Sequence, residues 1–313
     1  MSAWHRRIAR AIVLAGVLGA QQVQAEPVAD FYRGRTVTLS VGTSPGGGYD
    51  IYARIIARHI GRHIPGEPQV IVRNVPGAGG IVFANTLYNL APKDGTEIGT
   101  FNRTIPLDPL LGNAKAQFDP LKFVWLGSPA NEVSTCVSFH TSGIRTIADL
   151  RQRELVTGGP GTTTDSIVYP KVSNALLGTR FKIVSGYPGS AEAILAMERG
   201  ETQGFCGWAY SSMEAQRQGW LHAGKIHVLL QYGMVRNPAF GDAPLAVDLA
   251  TKPRDRQIVE LIVAPQLFAR PYAAPPGLPP ERAAALQAAF EATIKDPLFV
   301  TEANERRLEV DLV

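Results

Sequence analysis

The residues of this chain best suited to chemistry are Thr43-Ser44-Pro45-Gly46-Gly47-Gly48-Tyr49-Asp50, a run that sets hydroxyls beside three consecutive glycines. Without Cβ atoms such a backbone can approach a ligand closely and turn several N–H groups toward it. Its flanks place it in a fold. Thr36-Val37-Thr38-Leu39-Ser40-Val41 alternates like a half-buried strand, and Ile51, Ile55, Ile60 and Ile64 recur at helical spacing with Arg54, Arg58 and Arg62 on another stripe. The loop therefore runs into a helix N-terminus, whose unpaired amides and partial positive charge suit a phosphate or a carboxylate. Asp50 is expected to cap that helix and to occupy some of those donors itself.

Other chemistries find less support. Gly158-Gly159-Pro160-Gly161-Thr162-Thr163-Thr164-Asp165 is a second glycine loop before a helix, yet it lacks the Lys-Ser/Thr pair of a P-loop. Neither of the first two glycine loops, at Gly46 and Gly77, matches the dinucleotide fingerprint, and no G-x-S-x-G elbow offers a nucleophile. His59 and His63 stand four apart with no acid between them and with Arg58 and Arg62 as neighbours, so they read as a solvated helix face and not a metal site. No cysteine spacing suggests metal. Cys136 and Cys206 both lie in apolar, strand-like stretches, and the sequence leaves open whether they pair.

The first 25 residues set the compartment. Arg6, Arg7 and Arg10 precede the apolar run Ile12 to Leu18, and Val23-Gln24-Ala25 has the small-x-small form of a cleavage site. They read as a secretory signal peptide, removed after Ala25. Its removal lowers the formal charge from +4 to +1. The basic balance is therefore largely a targeting feature, and with no Lys/Arg run interleaved with aromatics a nucleic-acid partner is excluded.

Strand-like and helix-like runs alternate through the remaining chain, as expected of an α/β protein with largely parallel sheets. Strands are predicted at Gln69 to Arg73, Glu97 to Phe101, Ser134 to Phe139, Leu155 to Thr157, Phe181 to Val184, Gln203 to Gly207 and Ile226 to Gln231. Helices are predicted over Ile81 to Leu90, from Asp165 to Leu177, from Ser190 to Arg199 and over Glu281 to Ile294, the last introduced by Pro279 and Pro280. Asn237 to Arg256 reads as irregular, and the apolar Ile258 to Phe268 as a strand.

Three motifs in series carry a family resemblance. Pro45-Gly46-Gly47-Gly48-Tyr49-Asp50 with Ala53-Arg54, then Asn74-Val75-Pro76-Gly77-Ala78-Gly79-Gly80, then Ala91-Pro92-Lys93-Asp94-Gly95-Thr96 resemble the signature of the Bug-type periplasmic solute receptors of tripartite tricarboxylate transporters. Order and spacing match, and weaker similarity continues through Phe118-Asp119-Pro120, Gly158 to Thr163, Gly186-Tyr187 and Ile262 to Pro271. Tyr49, Lys93 and Glu97 depart from the residues usual there, and the chain ends sooner after Asp296-Pro297 than is common in the family.

The resemblance implies a two-lobed type II periplasmic-binding-protein fold, a Venus flytrap whose lobes each hold a mixed, mainly parallel sheet flanked by helices. It implies lobe 1 from residues 26–130 and 250–313, lobe 2 from 131–249, and closure about crossings near 130 and 250. It implies binding of a small organic anion, a carboxylate or dicarboxylate, with no enzymatic activity, cofactor or metal, by a monomer that meets membrane permease subunits transiently. The ligand-binding residues carried over are Ser44, Pro45, Gly46, Gly47, Gly48 and Asp50 in the first loop, and Ala78 and Gly79 in the second motif. To these it adds Asn102 and Arg103 at a strand end and Gly161, Thr162, Thr163 and Thr164 in the second-lobe loop. Trp208, with Tyr210, is placed near the cleft, as its floor or as lobe packing. A receptor coupled to a sensor kinase and a secreted hydrolase are the competing readings.

Overall fold

The alternating run forms β1 (Thr36–Val41) and buries Val37, Leu39 and Val41. The computed structural model describes residues 27–313; the segment before them, with the predicted signal peptide, lies outside the described residues. β2 (Gln69–Asn74) and β3 (Glu97–Thr100) flank β1 in parallel. With β4 (Val124–Gly127) and a late strand, β10 (Tyr272–Ala274), they form a five-stranded sheet in the order β2-β1-β3-β10-β4, in which β10 is antiparallel to both neighbours. The glutamate at the head of β3 is tolerated because Glu97 Oε1 accepts from Ser40 Oγ at 2.8 Å and from Arg73 at 2.6 Å.

The second sheet repeats this plan. β5 (Ser134–Phe139), β6 (Leu155–Gly159), β7 (Phe181–Ser185), β8 (Gly204–Ala209) and β9 (Ile226–Tyr232) are ordered β7-β6-β8-β5-β9, and β5 is the antiparallel member. Each lobe is thus a mixed sheet with one strand running against the rest, as the flytrap resemblance implies. Cys136 on β5 and Cys206 on β8 are register partners and form a disulfide in the centre of the second sheet, settling the pairing that the sequence left open.

Around the first sheet lie α1 (Val28–Tyr32), α2 (Gly48–Ile60) and α3 (Ile81–Asn89). The second carries α4 (Ile147–Gln152), α5 (Asp165–Leu177), α6 (Ser190–Glu198) and α7 (Tyr210–Gln216). Two stretches differ from expectation. Asn237 to Arg256 contains a short helix, α8 (Ala246–Leu249), and the start of α9 (Pro253–Val263), so the predicted strand at Ile258 to Phe268 is a helix followed by a 3₁₀ turn. Its β-branched residues mislead, but Val259, Ile262 and Val263 are buried while Leu261 is exposed, a 3.6-residue period, and Pro253 stands at the first turn. α9 packs into the core of the second sheet with Ala246 and Val247.

The chain closes with α10 (Pro280–Lys295) and α11 (Pro297–Glu305) against α2. This contact corrects the expectation for the two histidines. His59 is buried with Nε2 2.7 Å from Glu302, and His63 Nε2 stands 2.8 Å from Asp296, so they dock α11 instead of lining a solvated face. Arg58 and His59 hold the Glu302 carboxyl down at about 2 against the opposing effect of partial burial.

Two segments cross between the lobes and bond to each other: Ala269 N donates to Ala130 O at 3.3 Å and Glu132 N to Gln266 O at 3.4 Å. The C-terminal tail lies beside them, with Asp311 N on Pro129 O at 2.8 Å and Ser128 N on Val313 O at 2.8 Å. The disulfide joins positions 70 residues apart in sequence. From loop-closure entropy, replacing both cysteines with alanine should cost roughly 2–4 kcal/mol of unfolding free energy, measured by denaturant titration of oxidised protein. An unchanged midpoint would show that the neighbouring strands already supply that constraint.

Candidate functional site

The first loop is built around Asp50, though not as predicted. The residue before α2 is Gly47, which has no side chain to cap with, and Asp50 sits within the first turn. Its Oδ2 accepts from Gly46 N at 2.9 Å and from Arg54 Nε at 2.9 Å, while Oδ1 accepts from Asn74 Nδ2 at 2.9 Å. Asn74 also donates to Thr43 O at 3.0 Å, tying the first glycine motif to the second. Burial alone would raise the Asp50 carboxyl, but the bonds from Arg54, Gly46 and Asn74 outweigh it and hold it below the ordinary range. Asp50 therefore bends the loop back through the Gly46 amide, at φ +80°, and leaves the first amides of α2 without an intrahelical acceptor.

The start of α2 lies against the other lobe and the return crossing at very short range. A Cβ at Gly48 would lie 2.2 Å from Ser212 Oγ and 2.9 Å from Arg270 Nη1, and one at Gly47 would lie 2.8 Å from Ser190 Oγ. The lobes meet closely again where a Cβ at Gly161 would be 2.7 Å from Gly79 N. In this closed conformer the two walls leave no room for a side chain at these points. Between the walls is a cavity of ≈ 40 Å³. Thr43, Gly48, Tyr49, Asn102 and Arg103 line it from the first lobe, Asp165, Ser166, Trp208 and Ser212 from the second, and Arg270 from the return crossing.

Two buried guanidinium groups dominate its electrostatics. The Arg270 side chain is 3% exposed, pairs with the fully buried Glu132 at 2.8 Å and donates to Ser212 Oγ at 2.5 Å, and its guanidinium stands 4.9 Å from the ring centroid of Tyr49. Arg103 Nε donates to Tyr49 OH at 3.2 Å, and its Nη1 donates to Ser134 Oγ at 3.4 Å and to Gln266 Oε1. Arg103 Nε also lies 3.4 Å from Asp165 Oδ2, in ion-pair range across the lobes. Asp165 Oδ1 accepts from Asn102 Nδ2 at 3.0 Å and from Ser166 N at 3.0 Å.

Of the residues singled out in the sequence, Gly48, Asn102, Arg103 and Trp208 come together on this cavity. Ser44 instead donates to Glu192 Oε2 of the opposite lobe at 2.8 Å, and Gly46 O accepts from Gln216 at 2.8 Å. Thr163 donates to Asp108 at 3.0 Å and its carbonyl accepts from Thr104, while Thr164 Oγ1 donates to Pro160 O at 2.6 Å. Ala78 and Gly79 lie against Gly161 and Thr164, outside the cavity lining, as do Pro45, Gly47 and Thr162. In this conformer Ser44, Gly46 and Thr163 latch the lobes together. Trp208 fills both roles anticipated for it, since it lines the cavity while packed into the second core and donating to Gln216 at 2.8 Å. Tyr210 does not approach the cleft; it lines a broad outer hollow of ≈ 690 Å³ beside the C-terminal tail that holds none of the loop residues.

Asp165, Ser212 and Arg270 were not singled out from the sequence. Asp165 closes the glycine loop before α5, where a signal existed; Arg270 and Ser212 are single polar residues in unremarkable local context, brought in only by the crossing and by α7. Among the described residues no group of three or more His, Cys, Asp or Glu side chains could hold a metal ion, and no helix is long and apolar enough to cross a membrane.

Two similar α/β lobes closed on a polar cavity define a periplasmic-binding-protein fold. No protein-family model matches the chain. A relative from Cupriavidus necator, the UPF0065 protein in the gbd 5' region, is 28% identical over 254 residues, covering 77% of this chain and 73% of its own. Among solved structures, the periplasmic binding protein BugD superposes with a TM-score of 0.72 at 20% identity over 89% of both chains. MatC from Rhodopseudomonas palustris, with malate bound, gives 0.70 at 20% identity over 87% of this chain and 88% of its own. A further R. palustris protein, with adipate, gives 0.69 at 20% identity over 88% of each. The resemblance carried by the three motifs is thus borne out: the chain has the fold of the Bug and TctC solute-binding proteins.

Because the Asp50 carboxyl is held below its unfolded value near 3.9, its contribution to stability is present above that pH and is lost as pH falls through the folded value. Asp50→Asn should therefore unfold about 1–3 kcal/mol more easily than wild type at pH 6, with the gap narrowing below pH 4. Denaturant titrations at the two pH values measure it, and a gap that does not depend on pH would remove the charge of Asp50 from the account.

Proposed function

We propose that the protein is a periplasmic solute receptor that captures a small organic carboxylate between its two lobes and delivers it to membrane permease subunits of the tripartite tricarboxylate type. One observation carries this reading. The N-terminus of α2 and the guanidinium of Arg270 both line the interlobe cavity, and they stand so close at Gly48 that a Cβ there would run into Arg270 and Ser212. A helix N-terminus, a hydroxyl and a guanidinium gathered at one point suit an anion, and the second-lobe hydroxyl joins the other two on closure. The adipate and malate in the two R. palustris structures support a carboxylate as that anion.

The cavity of ≈ 40 Å³ takes little more than a water or two, so a ligand enters an opened form and the lobes close onto it. We take the lobes to hinge at the crossings around Ala130 and Ala269, the second of these later in the chain than the crossing near residue 250 inferred from the motifs. The groups facing the cavity bind and orient, and the reading assigns them no catalytic step. The mature protein acts as a monomer, exported by the N-terminal signal.

Isothermal titration against C4 to C8 dicarboxylates, citrate, amino acids and aromatic acids tests the reading; no heat with any organic anion overturns it. Gly48→Val places a branched side chain where Ser212 and Arg270 stand, at a helical position without backbone strain. It should leave the melting of each lobe intact and weaken binding of whichever anion titrates by at least about tenfold, the equivalent of one lost charged hydrogen bond. Unchanged affinity would remove the N-terminus of α2 from the site.

A further inference from the structure

Among the described residues, every buried carboxylate but one is matched by a guanidinium. Six are buried: Asp50, Glu97, Asp108, Glu132, Asp165 and Glu214. Arg54, Arg73, Arg270, Arg103 and Arg307 stand within 3.4 Å of Asp50, Glu97, Glu132, Asp165 and Glu214 in turn. Asp108, at 2% exposure, has no basic side chain of the described residues in ion-pair range. Its side chain is held by the Thr163 hydroxyl, at 3.0 Å across the lobes, and by the Asn113 amide, at 3.2 Å, both donating to Oδ2. Uncompensated charge taken out of water is costly, and burial holds this carboxyl above the ordinary carboxylate range in spite of both bonds.

Asp108 meets free space in a second hollow between the lobes, of ≈ 150 Å³ against ≈ 40 Å³ for the cleft cavity. Leu107 and Leu111 line it from the first lobe, Val168 on α5 and Ile262 on α9 from the second, so one acid is set among aliphatic walls. Asp108 Oδ1 accepts no hydrogen bond from the described residues, yet it is not enclosed as Asp165 Oδ2 is, and this hollow is the free space that Asp108 lines. A cavity of this size holds a molecule of about six non-hydrogen atoms. A metal ion suits it less well. Hard cations gather several oxygen ligands, and among the described residues no cluster of acids, histidines or cysteines could supply them.

We propose that this hollow is a second binding site, separate from the cleft, for a short aliphatic ammonium compound, with the ammonium on Asp108 Oδ1 and the carbon chain against Leu107, Leu111, Val168 and Ile262. The ligand supplies the counter-ion that the chain provides for its other buried carboxylates and withholds here. Because the walls belong to both lobes, an occupant binds the closed form better than an open one and shifts the lobes toward closure. The site does not depend on which anion the cleft takes, so its failure would leave the solute-receptor reading untouched.

The test is isothermal titration of wild-type protein, at fixed ionic strength, with n-butylammonium chloride, with 1-butanol as its neutral counterpart of similar shape, and with calcium chloride as a purely ionic comparison. n-Butylammonium should bind about ten- to a hundredfold more tightly than 1-butanol, the value of a hydrogen bond to a charged group, and calcium should give no saturable heat. Asp108→Asn, of the same shape, should erase the preference for the ammonium. Val168→Phe, which fills the hollow from the second lobe and leaves Asp108 in place, should block n-butylammonium. Silence from n-butylammonium, equal binding of 1-butanol, or saturable calcium binding that Asp108→Asn removes overturns the proposal. Ammonium binding that survives either substitution also overturns it, since the site would then lie elsewhere. The two variants locate the site independently, so one that fails to fold leaves the other to decide.

Discussion

Two guanidinium groups buried on either side of the Tyr49 ring are the constraint around which this molecule is arranged. Arg103 reaches the tyrosine hydroxyl and Arg270 lies over the ring face. Charge of that density taken out of water is tolerable only with full pairing, and the partners come from every part of the chain. Glu132 and Gln266 come from the crossings, Ser134 and Ser212 from the second lobe, and Asp165 from the loop before α5. In the proposed hinge motion, partners drawn from the crossings stay in place whatever the angle between the lobes. Those drawn from the second lobe are met only on closure. The same two cations are thus anchored permanently on one side and switchable on the other, which is what a binding cleft needs if ligand contacts are to be made in one state and not the other.

The other contacts between the lobes are of a kind that leaves this balance adjustable. Ser44 with Glu192, Gly46 with Gln216, Thr104 with Thr163, and Thr163 with Asp108 are single hydrogen bonds near the rim. Each exchanges for water on opening and so contributes about 1 kcal/mol, or up to about 3 kcal/mol where the acceptor is a carboxylate. No large apolar surface joins the lobes: the principal cores are separate, one under α2 and α10 and another around β5, β6 and α9. A few weak latches with no shared core place the open and closed forms within reach of each other, and the differential affinity of a ligand can then move the population.

What could be read from the sequence divides along the same line as local and non-local order. The β1, glycine loop and α2 unit was legible because strand period, glycines and helix period follow one another within thirty residues. Asp50 was misassigned because the spacing shows an acid at a helix start but not that Gly47, one turn earlier, is the capping position. The helix at Pro253–Val263 was hidden by its β-branched residues, although Pro253 and the spacing of Val259, Ile262 and Val263 marked it. β4 and β10 are short and owe their existence to pairing with each other and with β3, so nothing in their own residues announces them. The cavity suffered most. Asn102 and Arg103 were legible as a strand end, while Arg270 and Ser212 reach it only through the crossing and α7, and no local pattern separates them from surface residues.

The duplication of strand order explains why the site lies where it does. In the first lobe the loops and helix start that follow the parallel neighbours β1 and β3 supply Thr43, Gly48, Tyr49, Asn102 and Arg103; in the second, the loop and helix starts that follow β6 and β8 supply Pro160, Asp165 and Ser212. These are equivalent positions, at the carboxyl ends of adjacent parallel strands, where open α/β sheets gather helix N-termini and leave a crevice. The strand antiparallel to its sheet, β10 in one lobe and β5 in the other, adjoins a crossing, so the crossings enter each sheet beside those same loops. Closing the two sheets face to face therefore brings four loops and Arg270 to one point without any further specialised element. The cost of that convergence is steric: a side chain at Gly48 would run into Ser212 and Arg270 in the closed form, and at Gly79 against Gly161 backbone meets backbone.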